Sequence, residues 1–578
     1  MKLFKFLIGL CLGALLILVP LSQFQASPLA PLQDLAVQLD GRKKPLDTVA
    51  RETVQQIHGR ASYRAANGEK LDALGTYLAL LFNDRDWNEE PFVLFNYRPL
   101  KTEAGLDPEQ KYFAFSELMR SRLGGVVARA HQKQAADQDL TRDEREALSL
   151  EDRLTLLINT VSSQSLPIVP HPNDPHGAWV GVDQVDTLYA PDAALQVMDR
   201  YQTLRQRYRA QVDLTTEITT ETVAQQAQVL HDQLVSLSPS VYPNFAQLER
   251  ETRFYRLHPF AKAWQLYGLA FVAMLLVILF NPGDAYWGAI GLFISGLAIH
   301  GYGFWERMQI AGRPPVTNMY ESVIWVSFGV AAIALLFEGI HRAKYYLLAA
   351  APLSIVCLLL ADSLPAVLDP SIRPLVPVLR DNFWLSVHVP TITLSYASLA
   401  LAFGLGHILL GHYLFAPSSK RISRLNKWNY GVLQVGVLLL ATGIILGGIW
   451  AHFSWGRFWG WDPKETWALI ALMCYVVPLH GRVMGWLGSL GLAITSVVSF
   501  NAVLMAWYGV NFVLGTGLHS YGFSTGGSEL VVGSLVLLDL LFVAVVVLKQ
   551  NGSLRLGSEA KDSPESQTLS SDVPLQQS

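Results

Sequence analysis

Apolar runs recur along the second half of this chain, at residues 264–280, 286–303, 320–338, 345–361, 390–415, 430–450, 467–484, 487–510 and 528–548. An α-helix needs about 20 residues to cross about 30 Å of hydrocarbon, and most of these runs reach that length. One more run, Phe6 to Leu21, follows the basic start Met-Lys-Leu-Phe-Lys and precedes a polar stretch. It reads as a signal anchor or signal peptide within residues 1–25. Its length favours a retained anchor, and cleavage after Ala26 is the alternative. With it, the pattern predicts an all-α polytopic membrane protein of about ten transmembrane helices.

Composition agrees. Of 578 residues 51% are hydrophobic and 16% charged, against about one-quarter charged in a soluble chain. The net charge of -3 gives no reason to expect nucleic acid as a partner. The three cysteines, Cys11, Cys357 and Cys474, each lie in an apolar run, and no CxxC occurs. A disulfide scaffold, a zinc ribbon, a thioredoxin-like site and a c-type haem attached to this chain are thereby disfavoured.

Residues 30–260 are polar enough for a soluble, mainly helical extracytoplasmic domain inserted after the first span. Helical spacing marks 140–163 and 193–237, while Leu166-Pro-Ile-Val-Pro-His-Pro-Asn-Asp-Pro-His176 is too Pro-rich for regular structure. Residues 261–550 form the transmembrane domain, and 551–578 read as a disordered cytoplasmic tail. Orientation follows from basic loops: Lys420, Arg421, Arg424 and Lys427 share one, and Arg342, Lys344, Arg482, Lys549 and Arg555 mark others. Placing these inside puts both termini in the cytoplasm. Residues 30–260 and the loops 304–319, 362–389, 452–466 and 511–527 then face outward.

The most informative outward stretch is 451–467, which holds Trp455, Trp459, Trp461 and Trp467. Tryptophan also forms belts where lipid meets water, but a belt scatters one or two indoles per helix end. Packed around Gly456, Gly460 and the Asp462-Pro463 bend, these indoles make a flat apolar platform for a flat apolar ligand. Asp462 also suits a helix N-cap, with Pro463 in the first helical position and Glu465 in a first turn that favours an acid.

Trp455-Gly-Arg-Phe-Trp-Gly-Trp-Asp-Pro-Lys-Glu465 resembles the W-G-x-x-W-x-W-D ("WWD") signature of the haem-handling proteins of cytochrome c maturation, matching each fixed position. Pro315-Val-Thr-Asn-Met-Tyr-Glu-Ser322, Trp384-Leu-Ser-Val-His388 and Asn511-Phe-Val-Leu-Gly-Thr-Gly-Leu-His519 are similar to segments of its CcsA/ResC branch, over about residues 260–550. Gly41-Arg-Lys-Lys-Pro-Leu-Asp-Thr48 is similar to a segment of extended members, without a mechanism attached.

The resemblance implies that Trp455, Gly456, Trp459, Trp461 and Asp462 hold haem b outside the membrane, as substrate, with His388 and His519 as axial ligands. The bland reading of each histidine is an interfacial side chain; both fall at the outer ends of spans, as the platform does. Arg457 and Lys464 are the nearest cations for the propionates. His480, near an inner end, is implied as a ligand of an internal haem iron, its partner ligand supplied by a ResB/CcsB-type subunit. His300, His407 and His412 also lie in spans, but no motif supports them. His171 and His176 are more readily solvated loop residues than metal ligands.

The implied activity is cytochrome c synthase (haem lyase): haem is attached to the CxxCH thiols of apocytochrome c. It operates in the bacterial inner membrane with its site on the periplasmic side, or in a thylakoid membrane. The alternative is a haem carrier or exporter that hands haem to a chaperone. Such CcmC-type chains are shorter and lack a large exported domain. A channel or transporter lacks support, since the spans carry few ionisable residues.

Overall fold

The computed structural model describes residues 2–22, 30–65, 68–162, 166–213, 220–280, 283, 285–364, 367–375, 381–514 and 528–559. Among them, nine helices are long and apolar enough to cross a membrane. An apolar helix at the N-terminus, Lys2–Ser22, joins them. Among the described residues, regular structure outside the helices is limited to three two-stranded antiparallel pairs and one isolated bridge, Val169 to Val180. The chain is an all-α polytopic membrane protein.

Two compact units divide the chain. The first holds the described parts of 1–328 and 354–386, and the second those of 329–353, 387–521 and 527–578. In the first, the polar domain is built around the helix Ala73–Phe82, buried along its whole length. It shares one buried apolar cluster with the amphipathic helices Arg142–Val161, Pro191–Asp213 and Thr220–Leu237, which contribute Leu150, Leu154, Val197, Leu204, Leu230 and Leu234. The predicted 140–163 helix is present. The 193–237 stretch is covered by two helices, with 214–219 outside the described residues.

The N-terminal helix packs on Ala285–Ala311 through small residues. Gly9 lies against the backbone of Gly288 and Gly291, and Gly13 lies against Ser295. A Cβ at Gly291 would stand 2.6 Å from the Phe6 carbonyl oxygen. Lipid tails are as apolar as leucine, so membrane helices associate by close backbone approach of this kind.

Several helices outrun their apolar runs. The helix predicted to end at Gly303 continues to Ala311, because Glu306 and Arg307 are buried rather than hydrated. The cause is Glu321, 0% exposed at the start of Met319–His341. It accepts from Arg307 at 3.0 Å and from Arg313 at 3.4 Å. The Thr317 N–H and hydroxyl donate to it at 2.8 and 2.7 Å, and Asn318 Oδ1 caps its own N–H at 2.8 Å. The Pro315–Ser322 segment thus encodes a buried ionic hub.

The second unit is led by the long helices Asn382–Phe415 and Arg421–Trp455. Their contact follows glycines: Gly436 meets Leu399, Gly443 meets Ile392 and Gly447 meets His388. Pro463–Val483 and the helical segments between Ser489 and Leu514 pack beside them, and Asn429 Nδ2 donates to Ser496 Oγ at 3.1 Å. The final helix is Ser528–Glu559.

Glu321→Ala would leave two guanidiniums buried without their carboxylate, a loss of about 3–5 kcal/mol for a broken buried pair. The expected result is a marked fall in the melting temperature of the detergent-solubilised protein, with Glu321→Gln intermediate.

Candidate functional site

His388 was expected in a loop before a helix at 390. It lies instead inside Asn382–Phe415, which runs through Pro390. Its ring sits in a notch of Arg421–Trp455, where a Cβ at Gly447 would stand 2.6 Å from His388 Cε1. His388 Nδ1 lies 2.9 Å from the Gly443 carbonyl oxygen. A carbonyl only accepts, so Nδ1–H donates; in a neutral imidazole the lone pair then falls on Nε2. Trp450, one turn on, stands with its ring centroid 5.7 Å from that of His388.

The same notch orders the Trp-rich segment. The Phe458 ring lies over Gly448, 2.6 Å from where a Cβ would stand. Arg421–Trp455 ends with Gly456 at φ 70°, a left-handed cap that glycine adopts without strain. The next helix starts at Pro463 behind the Asp462 N-cap, which accepts from the Lys464 N–H at 2.9 Å. Glu465 Oε2 reaches back to accept from the N–H groups of Gly460 at 2.8 Å and Asp462 at 3.2 Å. The expected cap is therefore present, and Glu465 additionally pins the bend.

Within this frame Trp459 and Trp461 meet edge to face, centroids 5.8 Å apart, and Arg457 lies over Trp455 at 5.8 Å with Glu465 3.9 Å away. Trp461 is 69% exposed and holds φ 56°. An indole in the left-handed region is strained by roughly 1–3 kcal/mol, and here that strain presents a large apolar ring to the surroundings. Three buried donor nitrogens, Trp450 Nε1, Trp459 Nε1 and Arg457 Nη1, have no hydrogen-bond acceptor among the described residues.

His519 lies outside the described residues. The helix leading toward it turns π-helical over Met505–Leu514, a widened geometry concentrated at functional sites. His480 is exposed on Pro463–Val483, beside Val477 and Met484, and its Nδ1 donates to the Val476 carbonyl at 2.9 Å.

The other intramembrane histidines differ. His407 has Nδ1 2.9 Å from the Phe403 carbonyl and Nε2 2.6 Å from Asp539, so both nitrogens are engaged. His300 is fully buried between Tyr267 and the Ile324 carbonyl, stacked on Phe304. His412 bonds the Ile408 carbonyl at 2.9 Å. In the Pro-rich loop His171 Nδ1 accepts from the Asp174 N–H at 3.0 Å and organises that turn. No cluster of three or more metal-ligating side chains occurs among the described residues.

Sequence reasoning missed Gly443, Gly447, Gly448, Trp450 and Phe458. The Gly443-x-x-x-Gly447 spacing was the available signal, since small residues four apart mark close helix contacts.

Comparison with known proteins gives three kinds of match. The family model described as cytochrome C assembly protein matches residues 316–519. Protein NrfI of Wolinella succinogenes is 30% identical over 501 residues, 83% of this chain and 53% of NrfI, so the chain spans about half of that relative's length. Cytochrome c biogenesis protein CcsA of Parasynechococcus marenigrum is 34% identical over 307 residues, 45% of this chain and 97% of that protein. CcsA of Trieres chinensis is 33% identical over 254 residues, 38% of this chain and 80% of that protein.

Trp461→Gly should leave thermal stability unchanged or raise it, by up to about 1–3 kcal/mol, because glycine relieves the left-handed strain. Denaturation in detergent checks this; marked destabilisation would show that the indole serves packing.

Proposed function

The chain belongs to the CcsA family of cytochrome c biogenesis proteins, and we propose that it holds haem b at the Trp-rich segment and attaches it to apocytochrome c thiols. The observation that carries this reading is the His388 setting. A metal-binding histidine commonly donates its second ring N–H to a carbonyl or carboxylate, which fixes ring and tautomer. His388 does so through Gly443, beside an indole-rich bend whose buried donors Trp459 Nε1 and Arg457 Nη1 suit propionate oxygens.

In this reading His388 Nε2 and His519 hold the iron from opposite faces, while Trp455, Trp459 and Trp461 bear on the porphyrin plane. Gly456 and Asp462 set the bend, and Glu465 keeps it. The two thiols of the acceptor's CxxCH then add across the vinyl groups. Each sulfur bonds the vinyl carbon next to the ring, each thiol hydrogen ends on the terminal carbon, and no oxidant is consumed. The acceptor's own histidine replaces one of the two imidazoles. The chain's contribution is orientation, and none of its cysteines takes part.

His480 serves an internal haem in this scheme. It is exposed on its helix, and His407 has both nitrogens engaged. His412, whose Nδ1 bonds the Ile408 carbonyl, lies at similar depth but no motif supports it, and the reading assigns the second internal ligand to a ResB/CcsB-type membrane subunit. The basic loops set the direction: 30–260 and the Trp-rich bend face the periplasm of an inner membrane, or the corresponding face of a thylakoid.

Co-expression with an apocytochrome c and a ResB-type subunit, in a host without its own maturation system, should yield covalent holocytochrome and a co-purifying bis-histidine haem spectrum. His388→Ala or His519→Ala should cut the yield at least tenfold, as loss of a ligand or its support does, with partial rescue by imidazole. Full yield in both variants removes the site, and haem binding without thioether formation favours a carrier instead. Alkaline phosphatase fused after Phe458 should be active and after Lys420 inactive; the reverse result inverts the orientation.

A further inference from the structure

The haem site makes no use of the Gly41-Arg-Lys-Lys44 segment, which lies in the first unit. Asp40 and Gly41, at φ 50° and 75°, form the two-residue turn between the strands Ala36–Leu39 and Arg42–Pro45. This turn sets Arg42 and Lys43 on the wall of a cavity of about 780 Å³. The remaining walls come from the Pro-rich loop, the helix Phe245–Leu257, the end of Ala285–Ala311 with Arg313 beyond it, and residues 372–375.

The charges around this cavity do not balance. Glu251 takes Arg42 in a two-pronged pair at 2.7 and 2.6 Å, and Arg42 Nε donates to the Ile372 carbonyl at 2.9 Å. Arg373 pairs with Asp369 at 3.0 Å. These two cations are compensated. Arg313, by contrast, shares the single carboxylate of Glu321 with Arg307. Lys43 donates to the Val241 carbonyl at 2.7 Å and lies over the Trp179 ring at 5.3 Å; Asp174 acts on it only through space. Arg42, Lys43, Arg307, Arg313 and Arg373 thus outnumber the carboxylates of Glu251, Asp369, Glu321 and Asp174 by one, and Lys43 has no carboxylate in direct contact. Burial lowers the pKa of Lys43, and lowers that of Arg313 despite Glu321, as expected of cations held short of counter-charge.

The cavity lies at the end of a membrane span. Ala285–Ala311 has 27 residues, about 40 Å of helix against about 30 Å of hydrocarbon, which leaves length for its polar end, with Glu306 and Arg307, to reach the headgroup layer. Residues 372–375 follow the span Tyr345–Ser363. Basic pockets at this depth suit anionic lipid headgroups. We propose that the cavity binds a phosphate group, supplied by an anionic phospholipid headgroup, and so ties the polar domain to the membrane surface.

The test uses the full chain, purified in mild detergent with a mixture of phosphatidylglycerol and phosphatidylcholine, and compares wild type with Lys43→Gln and Lys43→Arg. Lys43 is partly exposed and outside the Glu321 hub, so these variants should fold. Native mass spectrometry should show phosphatidylglycerol retained over phosphatidylcholine, with retention falling about fivefold in Lys43→Gln, as one lost cation near a lipid surface implies, and kept in Lys43→Arg. Inorganic phosphate, titrated at constant ionic strength against the melting temperature, separates the sources. If phosphate stabilises wild type but not Lys43→Gln, and no lipid preference exists, the phosphate site stands and the headgroup source falls. Equal lipid retention by wild type and Lys43→Gln, with no phosphate effect, overturns the proposal.

Discussion

Hydrocarbon offers no partner to a backbone N–H or carbonyl, so a chain inside it satisfies these groups within helices. Irregular backbone is then confined to the ends of spans. In this protein those ends carry the features that helices alone cannot supply: the left-handed Gly456 and Trp461, the Asp462–Glu465 cap and the buried hub at Thr317–Glu321. The same rule explains why Arg421–Trp455 continues through its Trp-rich end until glycine stops it.

A second consequence concerns how the helices meet. With no hydrophobic gain from pairing in lipid, contact depends on small residues that let backbones approach. Gly9 and Gly13 do this in the first unit, and Gly436, Gly443 and Gly447 in the second. The last of these links packing to chemistry. The space that lets Asn382–Phe415 approach is filled by the imidazole of His388, and the approach brings the Gly443 carbonyl within reach of Nδ1. A larger residue at Gly447 would take away the ring's place and its hydrogen bond together.

This division also explains what could be read from sequence. The spans were legible because hydropathy alone sets them, and the Asp462-Pro463 cap because capping is a local rule. Helix ends were not legible where they depend on distant partners. Arg307 stays helical because Glu321 receives it. His388 belongs to a helix because interhelical contact holds the turns before Pro390, where a prolyl ring alone argues for a break. The Arg42–Glu251 pair joins residues 209 apart, and the His407–Asp539 pair joins residues 132 apart. No local pattern signals either. The π-helical Met505–Leu514 likewise lacked a sequence signal.

His388 and His407 show how the acceptor at the second nitrogen can separate roles. His407 is held between a backbone carbonyl and the carboxylate of Asp539, which leaves no lone pair for a metal and makes it a tie between two helices. His388 has a carbonyl as the acceptor for Nδ1–H. A carbonyl orients the ring as a carboxylate would, but draws less on the proton and so adds less basicity to Nε2. In the proposed reaction the iron must be held firmly enough to position the vinyl groups, yet yield one imidazole to the incoming acceptor histidine. A ligand oriented by a neutral backbone group meets both demands. A ligand backed by a buried carboxylate would bind more tightly and resist that exchange, and on the proposed reading the Gly443 carbonyl behind His388 gives the weaker backing.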